Sequence, residues 1–176
     1  MDVILVDDMD RPVGTMEKME VHEKALLHRA FSIFIFNTKG EMLLQQRAHS
    51  KYHSAGLWTN TCCSHPSPGM GTLQAAEKRL AEEMGFHTDL QKAFHFTYNA
   101  AFENGLTEHE FDHVYIGTYD GEITPNPNEV ATFCYKGLTE IKNSLQSHPA
   151  NYTEWFKIAF PKVEAYLASL AADVKS

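Results

Sequence analysis

The stretch Leu57-Trp58-Thr59-Asn60-Thr61-Cys62-Cys63-Ser64-His65-Pro66 decides how the rest of the chain reads. Trp, Thr and Cys favour an extended strand. A loop rich in Pro and Gly, residues 66–71, then breaks it. Residues two apart on a strand point to one face, so Cys63 and His65 can share a cavity. A thiol and an imidazole held together make either a metal site or an acid–base pair. Cys62, one residue off, should face the other way and pack.

Towards the N-terminus, residues 29–36 read Arg-Ala-Phe-Ser-Ile-Phe-Ile-Phe, a buried strand. Asn37-Thr38-Lys39-Gly40 is a turn and residues 41–46 return, which predicts a hairpin. Residues 3–6 predict a first strand that ends at Asp7-Asp8-Met9-Asp10, and residues 48–56 form a polar loop. Towards the C-terminus, Thr72 can cap a helix whose stripe is Leu73, Ala76, Leu80, Ala81 and Met84, with Gly85 as its stop. Residues 94–102 predict a strand, Glu103-Asn104-Gly105 a turn, and residues 108–119 a longer strand. Asp120-Gly121 leads to a loop at 125–128, a short strand at 131–135 and a helix at 138–146. Thr153 can cap a last helix from Glu154, kinked or restarted near Pro161. Mostly strands, with one central helix and a helical C-terminus, make the class α+β, with a mixed sheet between helices. No repeat or linker divides the chain, so one domain over residues 1–176 is expected.

The composition narrows the function. A chain of 176 residues can bury a sizeable core. Its net charge of −8 argues against nucleic acid and anionic membranes as partners. An anionic substrate would need local Lys and Arg or a metal. Three Cys, two of them adjacent, make no disulfide framework. The N-terminal apolar run stops after four residues, and no run reaches membrane-spanning length. A soluble, reduced, cytoplasmic protein is expected. Ten His in so short a chain direct attention to metal ligands.

Two acidic groups stand out. Glu82 and Glu83 fall in the last helical turn, where the dipole disfavours carboxylates by roughly 0.3–1 kcal/mol each. Glu83 lies one turn from Arg79, which offsets part of that. In Glu108-His109-Glu110, both Glu share one strand face, and Asp112 continues it. Three acids on one face repel unless a cation or solvent sits there.

The run Lys78-Arg79-Leu80-Ala81-Glu82-Glu83-Met84-Gly85 resembles the second half of the Nudix box, whose Glu residues hold divalent metal against a diphosphate. The Arg-Glu pair of the box is here Lys78-Arg79, and its earlier Gly and Glu fall near Ser64 and Met70. Most of the hydrolytic carboxylates are therefore absent, while the fold and diphosphate binding remain. Glu17-Lys18 with His22, His28-Arg29-Ala30-Phe31, Gln46-Arg47 with Lys51, the Trp58-to-Pro66 stretch and Glu108-His109-Glu110 keep one order and spacing. Together they resemble the type 1 isopentenyl-diphosphate isomerases, a family with a Nudix-like fold that isomerises rather than hydrolyses. The resemblance runs from about Val3 to Trp155.

The resemblance implies a single metal, Mn²⁺ or Zn²⁺, held by His22, His28, His65, Glu108 and Glu110. It implies a Mg²⁺ that accompanies the substrate diphosphate at Glu83. Lys18, Arg47, Lys51 and Arg79 match diphosphate-binding positions, and they would supply the positive field that the acidic chain lacks. Cys63 and Glu110 would act on opposite faces of the alkene, with Tyr98 beside Glu110. Trp155 would face the cation-like centre. The implied partner is isopentenyl diphosphate, and a monomer is expected.

Overall fold

A computed structural model describes residues 1–102 and 104–175; the predicted turn at Glu103 therefore lies partly outside the described residues. The centre of the sheet is β3 (His28–Phe36), eight of whose nine residues are buried. Its alternation is two-sided: Phe31, Ile33 and Ile35 enter one core, Phe34 and Phe36 the other. A strand apolar on both faces has to be sandwiched between layers.

Along one edge, β3 runs parallel to β8 (Thr107–Thr118), in register from His28 opposite Glu110 to Phe36 opposite Thr118. Elsewhere it pairs antiparallel with β6 (Cys62–Ser64), which sets Ser32 opposite Cys63. β8 also carries β7 (Gln91–Ala101) on its outer side. The expected hairpin is corrected here. The chain does reverse after Phe36, but β3 meets β4 (Met42–Arg47) only at Phe36 opposite Met42. β4 pairs instead with β9 (Val130–Lys136) and with β5 (Trp58–Thr59). β1 (Asp2–Val6) forms a hairpin with β2 (Pro12–Glu17), an exposed strand that sequence pattern does not reveal.

Helices cover both faces. α1 (Lys18–Lys24) is short and ends at Ala25 in the left-handed conformation. α2 (Thr72–Met84) packs Ala75, Ala76, Leu80 and Met84 on the Phe31 side, together with Cys62. Two details of the expected helix change. Its cap is Gly71, with no side-chain bond, so Thr72 is the first helical residue. Leu73 is 42% exposed and does not join the buried stripe. Gly85 ends the helix at φ 76°, where a Cβ would collide with the Thr124 carbonyl oxygen.

α3 (Leu138–Ser147) and α4 (Glu154–Lys175) cover the Phe34 side through Ile141, Phe156, Phe160 and Val163. Each fully buried aromatic there is worth about 1.5–3 kcal/mol. Thr153 Oγ1 accepts from the Phe156 N–H at 3.3 Å, the expected cap. No restart occurs at Pro161, since α4 runs through it. Burial on both sides of the proline, at Phe160 and Val163, offsets the lost helical bond.

A polar triad pins the β1–β2 turn to the sheet. Arg29 Nε donates to Asp10 Oδ1 at 2.8 Å, and His113 Nε2 lies 2.9 Å from Asp10 Oδ2. Burial first, then the Lys92 charge, push the His113 imidazole down to about 4 despite Asp10. An unfolded His titrates near 6.5, so below that pH the unfolded chain gains a proton that folded His113 refuses. Stability is therefore expected to fall as pH drops from about 6.5 towards 4. Urea melts at pH 7 and pH 5 should show a smaller loss in His113→Gln than in the wild type. An equal loss in both would reject the assignment.

Candidate active site

The cleft is built where the ends of β3, β6 and β8 meet α1 and the start of α4. It is a narrow cleft open to solvent, and Lys18, Cys63, Glu83, Glu110 and Trp155 all line it.

At its base lie four buried side chains, His22, His28, His65 and Glu110, with one ligand atom of each inside 4.8 Å of the others. The parallel register brings His28 and Glu110 side by side. His22 comes from the end of α1, and His65 from the residue after β6. His28 Nδ1 lies 2.9 Å from the Leu26 carbonyl and donates to it, which leaves Nε2 with its lone pair turned inward. That Nε2 is 3.2 Å from His65 Nε2, which is 2.6 Å from Glu110 Oε2.

Burial pushes His22 down to about 4 and also lowers His65. Burial acts the same way on His28, but the Glu110 hydrogen bond and charge outweigh it and raise that imidazole. Burial opposes ionisation of Glu110 as well, yet His65 and His28 hold its carboxyl well below the usual range. His22 Nε2 is buried without a hydrogen-bond partner. An orphaned imidazole nitrogen, two imidazole nitrogens facing each other and a shared carboxylate fit a divalent cation with N and O ligands.

Glu108 is in the cleft but outside this group of four. Its Oε2 accepts from the Tyr98 hydroxyl at 2.8 Å, and its Oε1 lies 3.3 Å from His53 Nε2. The same Tyr98 hydroxyl donates to Glu110 Oε1. Burial, then Glu108 and Glu110, push the phenol well above its ordinary range, so it stays a donor.

Cys63 has separate company. Its thiol donates to Asn60 Oδ1 at 3.1 Å and lies 3.5 Å from Ser32 Oγ. Asn60 cannot turn its amide, because Nδ2 is bound to the Ile33 and Cys62 carbonyls. Ser32 in turn donates to Asp112 Oδ2 at 2.7 Å. Burial and then the Asp112 charge push the Cys63 thiol up. Asp112 thus points towards the thiol rather than the imidazoles. Cys62 is fully buried in the core under α2, the opposite side.

Cations gather at the mouth. The Arg47 guanidinium sits 5.1 Å from the ring of the buried Trp155, and Lys18 lies over Tyr52. Arg79 bonds Glu83 Oε2 at 2.7 Å and Glu82 at 2.8 Å. Glu83 Oε1 also accepts from Gln45, and Glu129 pairs with Lys51 and lies 3.6 Å from Arg79. Burial and the neighbouring Lys51 charge lower Lys18, as expected where cations converge. Of the site residues named from sequence, all but His22 and His28 line this cleft, and those two lie behind it against His65 and Glu110. Tyr52, His53, Asn60, Ser32 and Glu129 were not singled out. Asn60 lies in the Trp58-to-Pro66 stretch and Ser32 in the buried strand, whereas Tyr52, His53 and Glu129 are loop residues without a periodic signal.

The mixed sheet between helices, with this cleft at its edge, defines a Nudix-domain protein, and the NUDIX domain family model matches residues 26–156. A crystal structure from Deinococcus radiodurans superimposes with a TM-score of 0.77 at 14% identity, covering 92% of this chain and 98% of that one. A MutT protein from Methanosarcina mazei gives 0.65 at 17%, covering 79% and 94%. Sequence similarity is narrower. Isopentenyl-diphosphate Delta-isomerase of Pectobacterium atrosepticum is 49% identical over 94% of this chain and 92% of its own. The Serratia proteamaculans enzyme of the same name is 51% identical over 88% and 86%. The chain belongs to the isopentenyl-diphosphate Delta-isomerase family.

Proposed function

We propose that this cleft converts isopentenyl diphosphate to dimethylallyl diphosphate by adding a proton at one face of the alkene and removing another from the opposite face. The name shared by its relatives supports the substrate and the reaction. One structural observation carries the roles. Cys63 and Glu110 line the same cleft but sit in separate hydrogen-bond circuits, Asn60 and Ser32 for one, Tyr98 and His65 for the other. Two such circuits allow a proton to arrive and leave without a single shuttle.

An alkene is a very weak base, and protonating its terminal carbon leaves a tertiary cation. Trp155 offers a ring to that centre, worth roughly 0.5–2 kcal/mol. Loss of a proton from the carbon beside the oxygen-bearing one then completes the shift. Tyr98 steadies the Glu110 carboxylate during the transfer. Lys18, Arg47, Lys51 and Arg79 bind the diphosphate, which does not change in the reaction. Mn²⁺ or Zn²⁺ held by His22, His28, His65 and Glu110, with Glu108 alongside, would fix the carboxylate, as Mg²⁺ at Glu83 would offset diphosphate charge.

The same reading makes residues 1–176 one domain, active as a monomer in the cytoplasm and without nucleic-acid or membrane partners. Three unpaired cysteines support a reducing compartment and the net charge of −8 argues against nucleic acid, while no described helix is long and apolar enough to cross a membrane. Incubation with isopentenyl diphosphate in deuterated water tests the reaction. Deuterium should enter the new methyl group, and release of phosphate without deuterium uptake would favour a hydrolase instead.

Arg79→Glu should raise KM about 10- to 100-fold and lower kcat less, since a charged hydrogen bond is worth about 1.5–3 kcal/mol. The new carboxylate would face Glu83 and Glu129. It should not create hydrolysis, because Met70 still lacks a carboxylate. An unchanged KM would show that Arg79 only pairs with those acids.

A further inference from the structure

We infer that Tyr52 and His53 are positioning residues for the metal centre, one holding its ligand His22 and the other the adjacent carboxylate Glu108, from the loop that follows Arg47 and carries Lys51. The inference rests on the metal-site reading of His22, Glu108 and their neighbours. It adds two residues that act on that site from a loop outside it.

The loop runs from the end of β4 to the start of β5, residues 48–57, and its backbone is tied down. Arg47 N–H donates to the Leu57 carbonyl at 2.8 Å, and Gly56 N–H to the Arg47 carbonyl at 3.1 Å. Arg47 Nη2 reaches the His53 carbonyl at 3.3 Å, and Asn104 Nδ2 reaches the Tyr52 carbonyl at 3.2 Å. Side chains on a loop held in this way can impose geometry on what they touch.

The Tyr52 hydroxyl lies 3.3 Å from Nδ1 of His22, with the two rings stacked at 26°. The other nitrogen of His22, Nε2, is the one buried without a partner. If Nδ1–H donates to the phenol oxygen, the Nε2 lone pair is free for a cation. A hydrogen bond to one ring nitrogen thus selects the tautomer that presents the other.

His53 does the corresponding work on the acid. Its Nε2 is 3.3 Å from Glu108 Oε1. The ring cannot swing away, because it stacks on Phe102 at 4.5 Å and 10° and meets Trp155 edge-on at 5.9 Å. Tyr52 closes a third side, ring against ring at 4.4 Å and 87°. Glu108 is thereby held between Tyr98 and His53, next to the four clustered ligands but not among them. Two adjacent loop residues therefore reach one imidazole of the cluster and the carboxylate beside it.

Mn²⁺ titration of the chelator-treated full chain tests this, beside the isomerase assay. Tyr52→Phe and His53→Phe should each weaken Mn²⁺ binding about 10- to 100-fold, the usual effect of losing an outer-sphere partner. Activity lost at limiting Mn²⁺ should return with excess Mn²⁺. His53→Gln, which keeps a donor at the Nε2 position, should recover most of the affinity. A packing role would give the reverse order, with His53→Phe keeping affinity and His53→Gln losing thermal stability. That order, or unchanged affinity in both Phe variants, overturns the inference. His28→Ala is the control. If it loses Mn²⁺ while the loop variants do not, the inference fails and the site reading stands. If it binds Mn²⁺ like the wild type, both fail.

Discussion

Cys63→Ala should lose isomerisation by about 10²- to 10⁴-fold or more, the span of a positioned acid or base, while Cys62→Ala keeps its rate. The two residues are neighbours in sequence and opposites in space. Cys62 lies in the core with Ala76 and Leu80, whereas Cys63 opens on the cleft with its thiol on Asn60. Removing the Cys62 sulfur leaves a small void under α2, which should cost about 0.5–1.5 kcal/mol of stability, by analogy with loss of one buried methylene. Removing the Cys63 sulfur leaves Asn60 Oδ1 still bonded to the Thr59 hydroxyl, so the fold should hold. The measurement is deuterium uptake from solvent together with a thermal melt. A dead Cys62→Ala beside an active Cys63→Ala would mean that the wrong strand face had been assigned to the chemistry.

Glu110→Gln should lose both isomerisation and the response of the protein to chelators. The side chain keeps its shape but gives up the charge that holds His28 and His65 together. A ligand bound only by the native state raises its stability. In the wild type, a chelator should therefore lower the melting temperature and the activity together, since His22, His28 and Glu110 come from three elements and His65 from the loop after β6. In Glu110→Gln the melting temperature should start lower and move little with chelator. Breaking a buried charge pair costs about 3–5 kcal/mol, so Glu110→Asp serves as a milder partner with the charge retained. A Glu110→Gln enzyme that stays active, with a chelator-sensitive melt, would sink the assignment.

What sequence reveals here follows the physics of each element. α2 is legible in extent and in its C-terminal stop, because its apolar period and Gly85 are local signals, though its cap and the exposed Leu73 are not. β3 is legible because Ala30 to Phe36 are apolar on both faces apart from Ser32, but its partners are not. A turn at Asn37 to Gly40 says that the chain reverses, not that the strands stay together, and the long neighbour of β3 proved to be β8. β2 is invisible for the opposite reason, since Pro12, Val13, Gly14 and Thr15 are exposed and carry no alternation. At the cleft, residues inside the family-like motifs can be named in advance. Tyr52, His53 and Glu129 cannot, because their roles depend on which loop faces which strand.

The pairing of β3 with β8 also bears on how the chain is made. β3 ends at Phe36 and β8 begins only at Thr107. Each residue from Phe31 to Phe36 pairs with one 82 positions on, so at ~5–20 residues per second the ribosome leaves it without that neighbour for about 4–16 s. Parallel pairing over such a separation is also slow by nature. During that interval His65 joins His22 and His28 while Glu110 is still to come, so the cluster cannot be complete before β8 is made. Until β8 is made, the edge of β3 that it pairs with stays open, and an open apolar strand edge is the part of a nascent chain most exposed to aggregation.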